Sequence, residues 1–100
     1  MLALVAVVLL QGVVRIGPTT PVCHSGVRCD KPAAHVTLRF SRPGRVVKAK
    51  TDGAGRYRVS LDPGTWTVHA SVGRSITPNR FFLLQVHSTR RNFLIDSGLR

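Results

Sequence analysis

Between Lys50 and Val68 the chain reads KTDGAGRYRVSLDPGTWTV, and this stretch constrains the fold more than any other. From Arg56 to Leu61 the residues alternate strictly. Tyr57, Val59 and Leu61 lie on one face, and Arg56, Arg58 and Ser60 on the other. Residues 65–72 alternate again, with Trp66, Val68, Ala70 and Val72 on one side. The runs are punctuated by Thr51-Asp52-Gly53-Ala54-Gly55 and by Asp62-Pro63-Gly64. Asp in such a turn hydrogen-bonds the backbone two residues on, and Gly tolerates positive φ. Period-2 alternation between turn residues predicts a half-buried antiparallel hairpin.

The same pattern extends along the chain. Residues 12–17 read as a strand with Val14 and Ile16 inward and Arg15 outward, ended by Pro18 and Pro21. Residues 23–32, CHSGVRCDKP, read as a loop. Residues 35–41 place Val36, Leu38 and Phe40 inward; residues 45–51 place Val47 and Ala49 inward and Lys48 and Lys50 outward. Residues 73–80 form a polar connection. Residues 81–87 are apolar on both faces, so their register is ambiguous, and residues 90–97 bury Phe93 and Ile95. No segment has a helical period. About seven short strands remain, and two packed antiparallel sheets bury one stripe from each.

One hundred residues suit one domain. Fifteen Lys and Arg stand against four acids, Asp30, Asp52, Asp62 and Asp96, for a formal charge of +11 with no Glu. Such a balance favours polyanionic partners. Two of the four acids, Asp52 and Asp62, sit beside Gly or Pro and read as turn residues. Cys23 and Cys29 lack the second ligand pair that a zinc finger needs, so a disulfide is preferred to a metal site or two free thiols. That pairing implies an oxidising compartment. Met1 to Leu10, MLALVAVVLL, is too short to span a bilayer. Its length matches the apolar core of a secretory signal peptide, although it lacks a leading basic residue and an Ala-x-Ala site. Residues 1–11 are therefore expected to be a truncated signal segment outside the core, with the domain at 12–100. The alternative is an N-terminal strand of the domain.

The pattern Thr51-Asp52-x-x-Gly55-x-Tyr57-x-Val59-x-Leu61-x-Pro63-Gly64-x-Trp66-Thr67-Val68 resembles the signature of carboxypeptidase regulatory-like domains. These belong with the prealbumin-like (transthyretin-like) sandwiches and the B-type repeats of collagen adhesins. The flanks GPTTPVC at 17–23, CDKPAA at 29–34 and FLIDSGLR at 93–100 are similar to those of small secreted bacterial proteins carrying one such domain. The resemblance implies a seven-stranded antiparallel Greek-key β-sandwich and a binding or structural role without catalysis. The chain departs from the transthyretin-like hydrolases, because it ends Ser97-Gly98-Leu99-Arg100 and has no His in its first strand. It departs from isopeptide-bonded adhesins as well, since Lys48 and Lys50 are outward and no Glu is present.

Enzymatic constellations are not found. His24, His35, His69 and His87 are scattered, no nucleophile elbow occurs, and no pair of carboxylates faces across a cleft by spacing. No cofactor or metal site is expected. The visible candidate is a basic face of Arg39, Lys48, Lys50, Arg56 and Arg58, outward on three consecutive strands. If those strands are neighbours, the five cations make one patch for an anionic polymer or carbohydrate; otherwise they are a solvated surface. Single-stranded nucleic acid is disfavoured, because stacking needs exposed aromatics. Phe40, Tyr57, Trp66 and Phe93 face inward, leaving Phe81.

Overall fold

The longest strand in a computed structural model of the chain, which describes residues 7–19, 29–84 and 88–98, is β1 (Val8–Gly17). Around it are β2 (Lys31–Pro32), β5 (Arg56–Leu61), β7 (Ser75–Thr77), β9 (Ser88–Arg90) and β10 (Phe93–Asp96), forming a six-stranded sheet. A second sheet has the order β4 (Arg45–Lys50), β3 (Thr37–Arg42), β6 (Gly64–Ala70), β8 (Arg80–Leu83). No helix occurs among the described residues. The two sheets make a sandwich-like all-β domain.

β1 changes partners halfway along on both sides. Val8 to Val13 pair antiparallel with β5, then Arg15 and Ile16 pair with β2. Val14 bridges the exchange: its N–H donates to the Gly55 carbonyl and its carbonyl accepts from the Ala33 N–H, both at 2.8 Å. Opposite, β9 and then β10 run parallel to β1. Arg91 and Asn92 join the two without a register shift, since Gln11 faces Arg90 and Val14 faces Phe93. There the Val13 N–H donates to Asn92 Oδ1 (2.9 Å), and the Arg91 N–H donates to the Gln11 carbonyl (2.9 Å). Gly12 faces this joint, and a Cβ there would collide with the Arg91 carbonyl. That same carbonyl accepts the Tyr57 hydroxyl at 2.6 Å. A side chain is therefore excluded at Gly12 by backbone, which yields less readily than a flexible side chain.

Both sheets contribute to one core. Val8, Leu10, Val14, Tyr57, Leu61, Phe93 and Ile95 come from the first; Leu38, Phe40, Trp66, Val68, Phe81 and Leu83 come from the second. Aromatic rings join the layers: Phe40 lies 6.1 Å from Tyr57 and 6.3 Å from Phe93, and Phe81 lies 5.7 Å from Phe93. Trp66 is fully buried and spends its indole N–H on the Asp62 carbonyl at 2.8 Å. Burying side chains of this size contributes roughly 1.5–3 kcal/mol each. Against the conformational entropy of a small domain, a core of this kind leaves only a modest net stability.

Alternation reads correctly over 36–40, 56–61 and 66–68: every residue expected inward there is buried. The segment that alternation left ambiguous is resolved by its register with β6: Phe81 and Leu83 are buried while Phe82 and Leu84 are exposed. Other expectations are corrected. Ten strands among the described residues replace the expected seven, because short pieces such as β2, β7 and β9 carry ladder pairs too brief to leave a periodic signal. The sheets are not wholly antiparallel, since β9 and β10 run parallel to β1. The first strand starts at Val8 rather than Gly12, and Val8 and Leu10, expected outside the core, are 1% and 0% exposed. The second run ends at Ala70, leaving Val72 exposed.

The most consequential correction concerns residues 50–68. β5 and β6 do not form a hairpin: β5 pairs with β1, while β6 pairs with β3 and β8. The turn at 62–64 carries the chain from one sheet to the other. So does the turn at 51–55, since β4 pairs with β3 and not with β5. In that first turn Asp52 Oδ1 accepts the N–H groups of Ala54 and Arg56, each at 2.9 Å, and Gly55 adopts φ 78°. Thr51, 2% exposed, anchors its start. Its hydroxyl donates to the Ala33 carbonyl (2.5 Å) and accepts from the Val36 N–H (2.8 Å).

Candidate functional site

The turns that switch sheets divide the five expected cations. Arg39 on β3 and Lys48 and Lys50 on β4 project from the outer face of the four-stranded sheet; Arg56 and Arg58 on β5 project from the six-stranded sheet. Since the sheets bury their inner faces against each other, the outer faces look opposite ways, and one patch of five is not formed. β4 and β5 are consecutive in sequence but not neighbours in a sheet.

The outer face of the four-stranded sheet gains other residues instead. Lys48 is directly opposite Arg39, and Arg39 is directly opposite His69 on β6. Thr67 on β6 faces Ser41 on one side and Arg80 of β8 on the other, and Thr65 is opposite Phe82. Cross-strand neighbours on one face stand about 5 Å apart, and residues two apart along a strand about 7 Å. Arg80, His69, Arg39, Lys48 and Lys50 therefore form an oblique band across all four strands, each of them exposed. None of the four aspartates lies on β3, β4, β6 or β8. Like charges directly opposite one another destabilise a strand pair, so Arg39 and Lys48 are held together at a cost that a bound anion would relieve.

The aspartates are engaged in turns and ion pairs, one of them with Arg45 at the start of β4. Asp30 Oδ1 accepts from Arg15 Nε at 2.6 Å, Asp62 pairs with Arg45, and Asp96 Oδ1 accepts the Gly98 N–H at 2.9 Å. Asp52 Oδ2 pairs with Arg56 Nε at 3.2 Å. The Arg56 N–H, followed by the Ala54 N–H and the Arg56 guanidinium, holds the Asp52 carboxyl below the usual carboxylate range. The outer face of the six-stranded sheet is thus partly neutralised, at Arg15 and Arg56.

Recesses border these faces, among them two beside polar groups. One of about 200 Å³ is lined by His69, Arg74, Ser75 and Asn79 and extends the basic band at the end of β6. The other, of about 300 Å³, lies over the six-stranded sheet between Val13, the Arg15–Asp30 pair, Thr77, Asn92 and Leu94. Among the described residues no three His, Cys, Asp or Glu gather into a metal-holding group. His35 sits in a turn with φ 56° rather than in a strand, and His69 is on β6. His24, His87 and Cys23 lie outside the described residues, and with Cys23 the Cys23–Cys29 pairing does too.

Sequence reasoning did not bring Arg80 and Phe82 to this face. The aromatic expected outside the core, Phe81, is 4% exposed, whereas Phe82 is 58% exposed. Both faces of 81–84 are apolar, so only the register with β6 separates them. Tyr57 is the sole tyrosine, and burial pushes its phenol well above the ordinary range, opposed weakly by Arg91. The Arg91 guanidinium stands 5.3 Å over the Phe81 ring, which closes this corner of the core. In comparisons with known proteins, no family model, no curated protein and no solved structure matches the chain.

Proposed function

We propose that the protein is a non-catalytic β-sandwich module of the carboxypeptidase regulatory-like type, secreted or held in the cell envelope, that docks on an anionic polymer. The docking surface is the outer face of the four-stranded sheet. One observation carries this reading: Arg80, His69, Arg39, Lys48 and Lys50 share an exposed face of a sheet whose four strands carry no aspartate. A formal charge of +11 supplies long-range attraction of the same sign. The pattern from Thr51 to Val68 supports the family, and the same reading pairs Cys23 with Cys29 as a disulfide, which suits an oxidising compartment. The four aspartates serve turns and ion pairs, which favours binding over catalysis.

Retention on a heparin resin tests the reading. The native protein is expected to elute at a salt concentration well above that of the Arg39→Glu/Lys48→Glu variant, because exposed charges are screened over about 10 Å at 0.1 M salt. Arg56→Glu/Arg58→Glu changes net charge equally but lies on the other sheet, and is expected to elute close to native. Equal loss in both variants would reduce the effect to net charge and dismiss a face. Mass spectrometry of exported protein checks the compartment and the disulfide together, and a cytoplasmic chain with two free thiols would refute both.

A further inference from the structure

Phe82 is a large aromatic, 58% exposed, at one end of the basic band. It stands opposite Thr65 and two residues from Arg80, which stands opposite Thr67. Side chains from β6 and β8 thus offer a ring face, hydroxyls and a guanidinium within one cross-strand step of each other. Charge alone does not account for Phe82, since an exposed aromatic adds nothing to attraction for a bare anion chain. Hydroxyls at Thr65, Thr67 and Ser41 likewise match a ligand with hydroxyl groups of its own, because each donates and accepts.

We infer that the polymer docked on this face is an anionic polysaccharide, with one sugar ring laid on Phe82 and its charged groups running along Arg80, His69, Arg39 and Lys48. The inference rests on the reading above and names its ligand class. A single-stranded nucleic acid fits less well. Successive bases need successive aromatic platforms, and on this face the aromatic of β3, Phe40, and that of β6, Trp66, are both turned into the core. A polysaccharide needs stacking only at one or a few rings, the remainder being held through charge and hydroxyl contacts. The recess by His69, Arg74, Ser75 and Asn79 lies at the edge of the same band and offers further polar groups to the chain.

The test compares three probes at matched charge and salt: a heparin oligosaccharide, inorganic polyphosphate and oligothymidylate. Phe82→Ala is expected to weaken heparin binding about fivefold to tenfold, the effect of losing one aromatic contact, and to leave polyphosphate binding unchanged. Phe82→Tyr is expected to restore the heparin affinity. Equal weakening for heparin and polyphosphate, or for neither, would overturn the ring contact while leaving the charged face intact. Oligothymidylate bound more tightly than heparin, with the same loss in Phe82→Ala, would overturn it in favour of nucleic acid. Failure of the native protein to bind any of the three would refute the docking face itself. Circular dichroism confirms that each variant is folded, as expected for a side chain that faces away from the core.

Discussion

Replacing Thr51 by valine isolates a hydrogen-bonding role at a site where hydrophobicity predicts the opposite result. Thr51 is 2% exposed, and its hydroxyl bridges the Ala33 carbonyl and the Val36 N–H. Thr51→Val preserves shape and adds an apolar methyl to a buried position, so a transfer argument predicts a gain. The structure predicts a loss. Two backbone groups between β2 and β3 lose their partner away from water, at about 1–3 kcal/mol each, and partial relaxation brings the expected sum to about 2–4 kcal/mol. Thr51→Ser keeps both hydrogen bonds and gives up one methyl, at about 0.8 kcal/mol. Urea unfolding followed by tryptophan fluorescence reads both variants, Trp66 being the one tryptophan. The denaturant slope should stay constant while the midpoint falls, and fall further for valine than for serine. A valine variant as stable as native, or more stable than the serine variant, would refute the bridge.

Further expectations concern the core and its termini. Leu10→Ala should cost about 2–5 kcal/mol, measured by thermal or urea unfolding, because Leu10 is fully buried on β1; an unchanged midpoint would return residues 8–11 to a segment outside the fold. Gly12→Ala should destabilise by about 1–3 kcal/mol through overpacking, whereas Gly44→Ala meets no atom within 4 Å and suffers only the strain of φ 80°, about 1–2 kcal/mol. Equal crystal or NMR backbone positions around Arg91 in native and Gly12→Ala protein would contradict the first. Tyr57 should remain un-ionised in absorbance titration until the protein unfolds in alkali. Its folded pKa is raised, so its contribution is complete below the unfolded value of about 10 and is lost as pH climbs beyond that toward the folded one. Titration of the native protein near the unfolded value would show an accessible phenol. Asp52 carries the opposite sign: its contribution is present above the ordinary carboxylate range and is lost as acidification passes its lowered folded value. An Asp52 carboxyl that titrates by NMR at or above the ordinary value would contradict the turn.

The amino-acid order alone established which side of each long strand is buried, and where the chain turns. Tyr57, Val59 and Leu61, or Leu38 and Phe40, could face nowhere but inward once extended, because side chains alternate by geometry and water rejects the apolar set. Asp52 and Gly55 likewise dictate their turn through short-range contacts. Only the tertiary structure decided which strands are neighbours. Every backbone presents the same N–H and carbonyl groups, so β5 is equally suited to β4, β6 or β1, and its choice of β1 follows from closing one core between two layers. That choice moved Arg56 and Arg58 away from Lys48, drew His69 and Arg80 toward it, and separated Phe82 from Phe81. The initial apolar run MLALVAVVLL shows the same limit, since a leader core and a central strand call for the same residues. What distinguishes them for Val8 and Leu10 is the presence of β5 and β9 on either side.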